Sequence, residues 1–191
     1  MSPLSENALG RMHTIALSLR LATMDDAALL LRLRTDPATV AASRQQRRVE
    51  EAEHLAWLTA TLDDPAKALY IAMLGPLLVG TARLDHWECP DACATELSLT
   101  VAPSSRGWGF ARQILLSAME TDPYRCRRWI AEVRRENIGS LRAFLTAGWL
   151  IDGYRAGGFV TMEYERAPEP APVHEVDVSA SGSLGLCAGL S

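Results

Sequence analysis

The run TELSLTVAPSSRGWGFARQILLSAM, residues 95 to 119, carries one carboxylate, Glu96, five residues ahead of Val101. A turn follows, built from Arg106, Gly107, Trp108, Gly109, Phe110 and Ala111. Alternation in ELSLTV predicts a strand with Glu96, Ser98 and Thr100 on one face and Leu97, Leu99 and Val101 on the other. The residues after the turn have helical spacing. A glycine-rich turn between a strand and a helix start is suited to anions. The first amides of the helix have no intrahelical partner, the helix dipole favours negative charge, and glycine lets the backbone approach a ligand closely. The turn lacks the lysine and Ser/Thr of a Walker loop and is too short for G-x-G-x-x-G. The expected ligand group is therefore a phosphate or pyrophosphate rather than an obvious nucleoside triphosphate. A plain strand–helix turn, with glycines serving packing, explains the same residues equally well.

Other residues with chemical potential are scattered. Arg44, Arg47 and Arg48 precede a helical pattern and have the fork geometry that suits phosphate groups. A solvated charge run offset by Glu50, Glu51 and Glu53 is the alternative. His54 and Trp57 share a helical face three residues apart; Trp57 reads as core or as a stacking platform, His54 as a base or as a hydrogen-bonded structural histidine. HWECPDAC offers His86, Cys89 and Cys93 to zinc, but a tetrahedral site needs a fourth ligand and none lies nearby. No metal is expected. The four cysteines, Cys89, Cys93, Cys126 and Cys187, do not have the spacing of a disulfide framework.

These residues need a scaffold. Strand patterns cover 16–23, 68–74, 77–87, 95–102, 127–135 and a closing pair, LIDGYRAG and GFVTMEYER. Helical patterns cover 25–36, ending before Pro37, then 49–64, 109–121 and 137–149. The order predicts an α/β fold with a mixed sheet of about six to seven strands flanked by about four helices. Residues 1–14 are expected to be a flexible segment, 15–166 the domain, and 167–191, rich in Pro, Ser and Gly, a disordered tail. The chain has 191 residues, 48% apolar and 22% charged, with net charge −4. That balance argues against a general nucleic-acid binder. No apolar run reaches the roughly 18–20 residues of a membrane span, so a soluble cytoplasmic protein, monomer or homodimer, is the expectation.

Two motifs at the right separation then carry a resemblance. Arg106-x-x-Gly109-x-Ala111 resembles the acyl-CoA signature, Gln/Arg-x-x-Gly-x-Gly/Ala, of the GNAT superfamily of N-acetyltransferases. Asn137-x-x-Ser140 with Gly148-Trp149 resembles that superfamily's N-x-x-A/S…G-F element. The resemblance implies a sheet splayed at a coenzyme A site and acetyl-CoA as co-substrate. The pantetheine would lie between the strand ending at Val101 and the one containing Val133, held by backbone near Leu99 and Val101 and contacted by Asn137. The pyrophosphate would rest on Gly107 to Ala111. TELSLTVAP resembles a strand in which this glutamate is the suspected base, which gives Glu96 its role; a solvent-facing carboxylate is the alternative. Phe144 stands where many members carry the tyrosine that protonates the departing thiolate. Tyr154, a water, or an unprotonated departure are the substitutes.

The N-terminal half resembles the branch that acetylates 4-amino nucleotide sugars, through R-x-D-P…S (Arg34 to Ser43), E-H-x-x-W-L (Glu53 to Leu58) and V-G-x-x-R-x-D (Val79 to Asp85). On that resemblance the expected acceptor is a small-molecule amine, in that branch a nucleotide sugar, bound by Arg44, Arg47, Arg48, His54, Trp57 and Arg83. A protein N-terminal amine acetyltransferase of the ribosomal-protein type and a non-catalytic acyl-CoA-binding module are the other readings.

Overall fold

The computed structural model describes residues 16–89 and 92–167. The expected flexible segment at 1–14, all of the expected tail beyond Ala167, and Cys187 lie outside the described residues. The elements run β1 Leu17–Leu21, α1 Ala27–Thr35, α2 Pro37–Ala42, α3 Glu51–Asp63, β2 Lys67–Leu74, β3 Leu77–Cys89, β4 Ala92–Val101, α4 Phe110–Thr121, β5 Arg128–Arg134, α5 Ile138–Thr146, β6 Leu150–Arg155 and β7 Phe159–Glu165. They form one seven-stranded sheet in the order β1-β2-β3-β4-β5-β7-β6. Neighbours are antiparallel except β4 and β5, which are parallel. The mixed α/β sheet is as the sequence predicts. The helix α2 is additional: Pro37 ends α1 and also opens α2 at its first turn, with Asp36 accepting from Thr39 N at 3.0 Å.

Both faces of the sheet are covered. Along β2, Ala68, Tyr70 and Ala72 join the larger core with α4 and α5, whereas Leu69 and Ile71 join the smaller one with Leu30 of α1 and Leu58 of α3. Alternation along one strand therefore sends the two helix pairs to opposite faces. On α4 the buried residues Ile114, Leu115, Ala118 and Met119 repeat at helical spacing and lie on the sheet. Trp129, Ala131 and Val133 of β5 enter the same core.

The register between β4 and β5 is short. Only Ala94, Thr95 and Glu96 pair, with Arg128, Trp129 and Ile130. Asp122, just after α4, ties this end together. Its Oδ2 accepts from Trp129 Nε1 at 2.9 Å and from Thr95 Oγ1 at 3.3 Å, and Thr95 and Trp129 are register partners. Beyond Glu96 and Ile130 the two strands part. A cleft opens on the C-terminal side of β4, where the sequence places the turn.

Gly80 of β3 shows how tightly this end is packed. A Cβ there would sit 2.3 Å from the Thr100 carbonyl oxygen and 2.8 Å from Ile114 Cδ1. Gly80→Ala should lower stability by about 1–3 kcal/mol, the usual cost of overpacking. Thermal unfolding should show the melting temperature falling by several degrees; an unchanged midpoint would mean that β3 yields freely.

Candidate active site

The site is built where β4 leaves β5. The register of β3 against β4 is unbroken from Gly80↔Val101 to Cys89↔Ala92, so the predicted alternation persists without a bulge at Leu99. Leu97 is buried in the larger core and Leu99 and Val101 pack against it. Glu96 therefore faces the other side, toward α1, α3 and the loop after α2.

That loop delivers a cation. Arg44 Nη2 lies 2.8 Å from Glu96 Oε1 and 3.0 Å from Glu132 Oε2. Glu132 is on β5, two residues past Ile130, which pairs with Glu96. Its neighbours Ala131 and Val133 point into the core, so Glu132 shares the face of Glu96. Arg155 Nε approaches Glu132 Oε1 at 3.4 Å. An open cavity of about 580 Å³ adjoins the group, lined by Arg44, Glu132, Tyr154, Arg155, Ala156 and Phe159. Directly across from Glu96 stands Asp85 of β3, held by Arg83 at 2.7–2.8 Å through Oδ2. Asp85 Oδ1 is buried without a hydrogen-bond partner. Like charges at opposite cross-strand positions are destabilising, and here Asp85 is paired with Arg83 and Glu96 with the arginine that it shares with Glu132.

The loop carrying Arg44 is fixed from the sheet. Arg134 at the end of β5 donates to the Ser43 carbonyl at 2.9 and 3.1 Å and to the Arg44 carbonyl at 3.3 Å, and its guanidinium lies over Phe159 at 4.5 Å. Gln46 holds a left-handed backbone, φ 44°, unusual for a side chain that is not glycine. It is secured by its Nε2 donating to the Ala41 carbonyl and its amide to Ser43 Oγ.

The turn after β4 has the conformation that its glycines permit. Gly107 and Gly109 have φ of 82° and 79°, and beyond their immediate chain neighbours no atom lies within 4 Å of where either Cβ would be. Gly109 is the residue before the first turn of α4, whose leading amides lack intrahelical partners. An anionic group fits there: the backbone is bare, the space is open, and the helix presents its positive end. Trp108 on the same turn is 76% exposed, and Phe110 and Ala111 start the helix. Arg106 does not extend away from the protein. Its Nη2 donates to Asp36 Oδ2 at 2.5 Å and Thr39 Oγ1 at 3.2 Å, and its Nε to the Val101 carbonyl at 3.3 Å. The Arg106 guanidinium holds the Asp36 carboxyl below the usual carboxylate range. Asn137 caps α5, its Oδ1 accepting from the Ser140 amide at 3.1 Å.

Of the other predicted residues, Trp57 lies beside both His54, with ring centroids 5.5 Å apart, and Arg83. Arg47 forms an ion pair with Glu53, and Arg48 is exposed. His54 is 2% exposed and hydrogen-bonds the Ala27 carbonyl through Nε2 at 3.1 Å, joining α3 to α1. Burial pushes its pKa down; the structural histidine is the alternative that the packing favours. Trp57 is 38% exposed and lies under the Arg83 guanidinium at 5.9 Å. Phe144 is core, edge-on to Trp149 with ring centroids 4.8 Å apart, and cannot donate a proton. Tyr154 lines the cavity. His86 Nδ1 meets the buried Cys126 thiol at 3.2 Å and stacks on Tyr124. Among the described residues no group of three or more His, Cys, Asp or Glu is arranged to hold a metal, and no helix is long and apolar enough to cross a membrane.

Sequence reasoning missed Glu132, Asp36 as a partner of the turn, and Arg134. Glu132 had one local signal, a lone carboxylate alternating with the apolar residues of β5.

Comparison with known proteins matches residues 16–149 to the acetyltransferase (GNAT) domain family. Spermidine N-acetyltransferase from Vibrio cholerae, solved with CoA and spermine, superposes with a TM-score of 0.70 at 16% identity, covering 78% of this chain and 95% of that one. The aminoglycoside acetyltransferase AAC(6')-Ib, solved with coenzyme A, gives 0.67 at 20% identity, covering 79% and 95%. The putative acetyltransferase yncA from Salmonella typhimurium, solved with acetyl-CoA, gives 0.65 at 21%, covering 82% and 97%. Among curated proteins, none matches the chain in sequence.

Proposed function

The chain belongs to the acetyltransferase (GNAT) domain family, and we propose that it transfers the acetyl group of acetyl-CoA to a primary amine of a small molecule. The observation that carries this is the juxtaposition of Glu96 with the cleft between β4 and β5, at whose end lies the bare glycine turn. Gly107 to Ala111 and the start of α4 would hold the pyrophosphate, and the stretch of β4 through Leu99 and Val101, which pairs with β3 but not with β5, the pantetheine. Acetyl-CoA supplies an acyl thioester. The amine nitrogen forms a bond to the acyl carbon and the carbon–sulfur bond breaks, the sulfur leaving as the coenzyme A thiol with the second proton of that nitrogen. An alkyl amine has a pKa near ~10.4, so its proton must be removed before attack, and Glu96 is the acceptor of that proton. The solved relatives include proteins named for spermidine and aminoglycosides, consistent with a small-molecule amine.

The narrower reading, an amino nucleotide sugar, rests on the resemblance of the N-terminal half. Of its three loop arginines, Arg44 is bound to Glu96 and Glu132 and Arg47 to Glu53. A diphosphate has to displace those carboxylates to use them. An acceptor screen with acetyl-CoA, reading free thiol, tests the proposal. It should cover alkyl amines, amino nucleotide sugars and peptides with free N-termini. Acceptor-dependent thiol release is expected from a small-molecule amine. Release only with peptides would transfer the protein to the peptide-modifying reading, and silence on every amine would refute catalysis.

A further inference from the structure

Resting on the amine-acetyltransferase reading above, we propose that Glu132 is a second acceptor-binding carboxylate beside Glu96, and that the Arg44 guanidinium fills the place of the acceptor's ammonium in the free protein. One cation is shared between carboxylates on neighbouring strands, at 2.8 and 3.0 Å. Both carboxylates are mostly withdrawn from water, each 23% exposed. Two ionised carboxylates brought this close disfavour each other's charge unless a cation lies between them. Asp85, facing Glu96 with an unsatisfied buried oxygen, adds to the demand.

The cation is of a kind that can leave. Arg44 is the most exposed of the three, at 58%, and it sits on a loop rather than a strand. The loop backbone is held separately by Arg134 through the Ser43 and Arg44 carbonyls, so the side chain can swing out while its anchor stays. An alkylammonium has the same charge and three N–H donors, enough to bridge both carboxylates. The cavity of about 580 Å³ beside Glu132, walled by Tyr154 and Phe159, has room for the rest of such a molecule.

The acceptor class follows: amines protonated at neutral pH, in preference to aryl amines and amides, which carry no positive charge there. Once the ammonium has displaced Arg44, one N–H proton passes to the Glu96 carboxylate and leaves the neutral nucleophile. Glu132 keeps Arg155 as its partner.

The test separates KM from kcat, using the best alkyl amine of the acceptor screen. Glu132→Gln should raise its KM about tenfold or more, as expected for truncating a close charge pair, with kcat little changed. Arg44→Met should lower KM. Methylguanidinium should compete with the amine in Arg44→Met and much less in the wild type, because it restores the missing plug. Calorimetry of methylguanidinium on Arg44→Met, with and without Glu132→Gln, reads the same site without turnover; binding should be lost in the double variant. If Glu132→Gln is poorly folded, Glu132→Asp should show a smaller rise in KM. An unchanged KM in both Glu132 variants, or a raised KM in Arg44→Met, would overturn the proposal; the latter would mean that Arg44 holds the acceptor directly. Silence in the acceptor screen, with methylguanidinium binding intact, would instead overturn acetyl transfer and leave the cation site standing.

Discussion

Glu96→Gln should lower kcat by about 10²- to 10⁴-fold, the usual worth of general-base help, while acetyl-CoA affinity stays unchanged. Glutamine keeps the shape and removes the site for the proton. At neutral pH an alkyl amine with pKa near ~10.4 is almost wholly protonated, so the variant depends on the small neutral fraction in solution. Raising the pH should therefore restore part of its rate, and the wild type should gain less. The variant should fold, because Glu96 is half-buried at the cleft and Arg44 retains Glu132. Stopped-time thiol assays across pH, with calorimetry of acetyl-CoA, decide it. A wild-type kcat at every pH would remove Glu96 from the chemistry. Suspicion would then pass to Glu132 rather than to His54, which is packed between α1 and α3.

Gly109→Asp should abolish measurable acetyl-CoA binding, a loss of about 10²-fold or more, since unfavourable like-charge contact costs several kcal/mol. The backbone there has φ 79°; aspartate visits the left-handed region more readily than most residues, and its charge at the head of α4 favours the helix. The fold should survive, as near-wild-type circular dichroism would show. Gly109→Ala separates strain from charge: it places a methyl in open space and pays only the left-handed penalty, about 1–2 kcal/mol. Unchanged affinity in a folded Gly109→Asp protein would show that the turn is not the phosphate cradle.

Local signals account for what the sequence revealed. Period-two alternation set the face of Glu96, and two glycines beside a helix start marked the turn, because both depend on residues adjacent in the chain. The helix α2 escaped because Asp36-Pro37 reads as the end of α1, and six residues are too few to show a period. Glu132 escaped because its closeness to Glu96 depends on the β4–β5 register, which only the crossover through α4 determines. The same holds for Arg106. The motif marks it as a ligand residue, yet its guanidinium spends its donors on Asp36, 70 residues earlier. His54 and Trp57 do share a helical face, but periodicity alone does not say how far that face turns toward the core.

The three-residue seam that Asp122 pins between β4 and β5 leaves the protein with two strand edges inside a single sheet. Edges of this kind are normally avoided because unpaired amides invite another chain. Here they belong to two strands of one sheet that part after three paired residues, and an extended molecule would find backbone donors and acceptors on both. The same geometry makes residues 97–101 a local reporter. Their amides on the open side should exchange with deuterium quickly in the free protein, whereas those of Thr95 and Trp129 at the pinned end should exchange slowly. Filling the cleft should then slow exchange along β4 outward from the seam, like a zip closing from its fastened end.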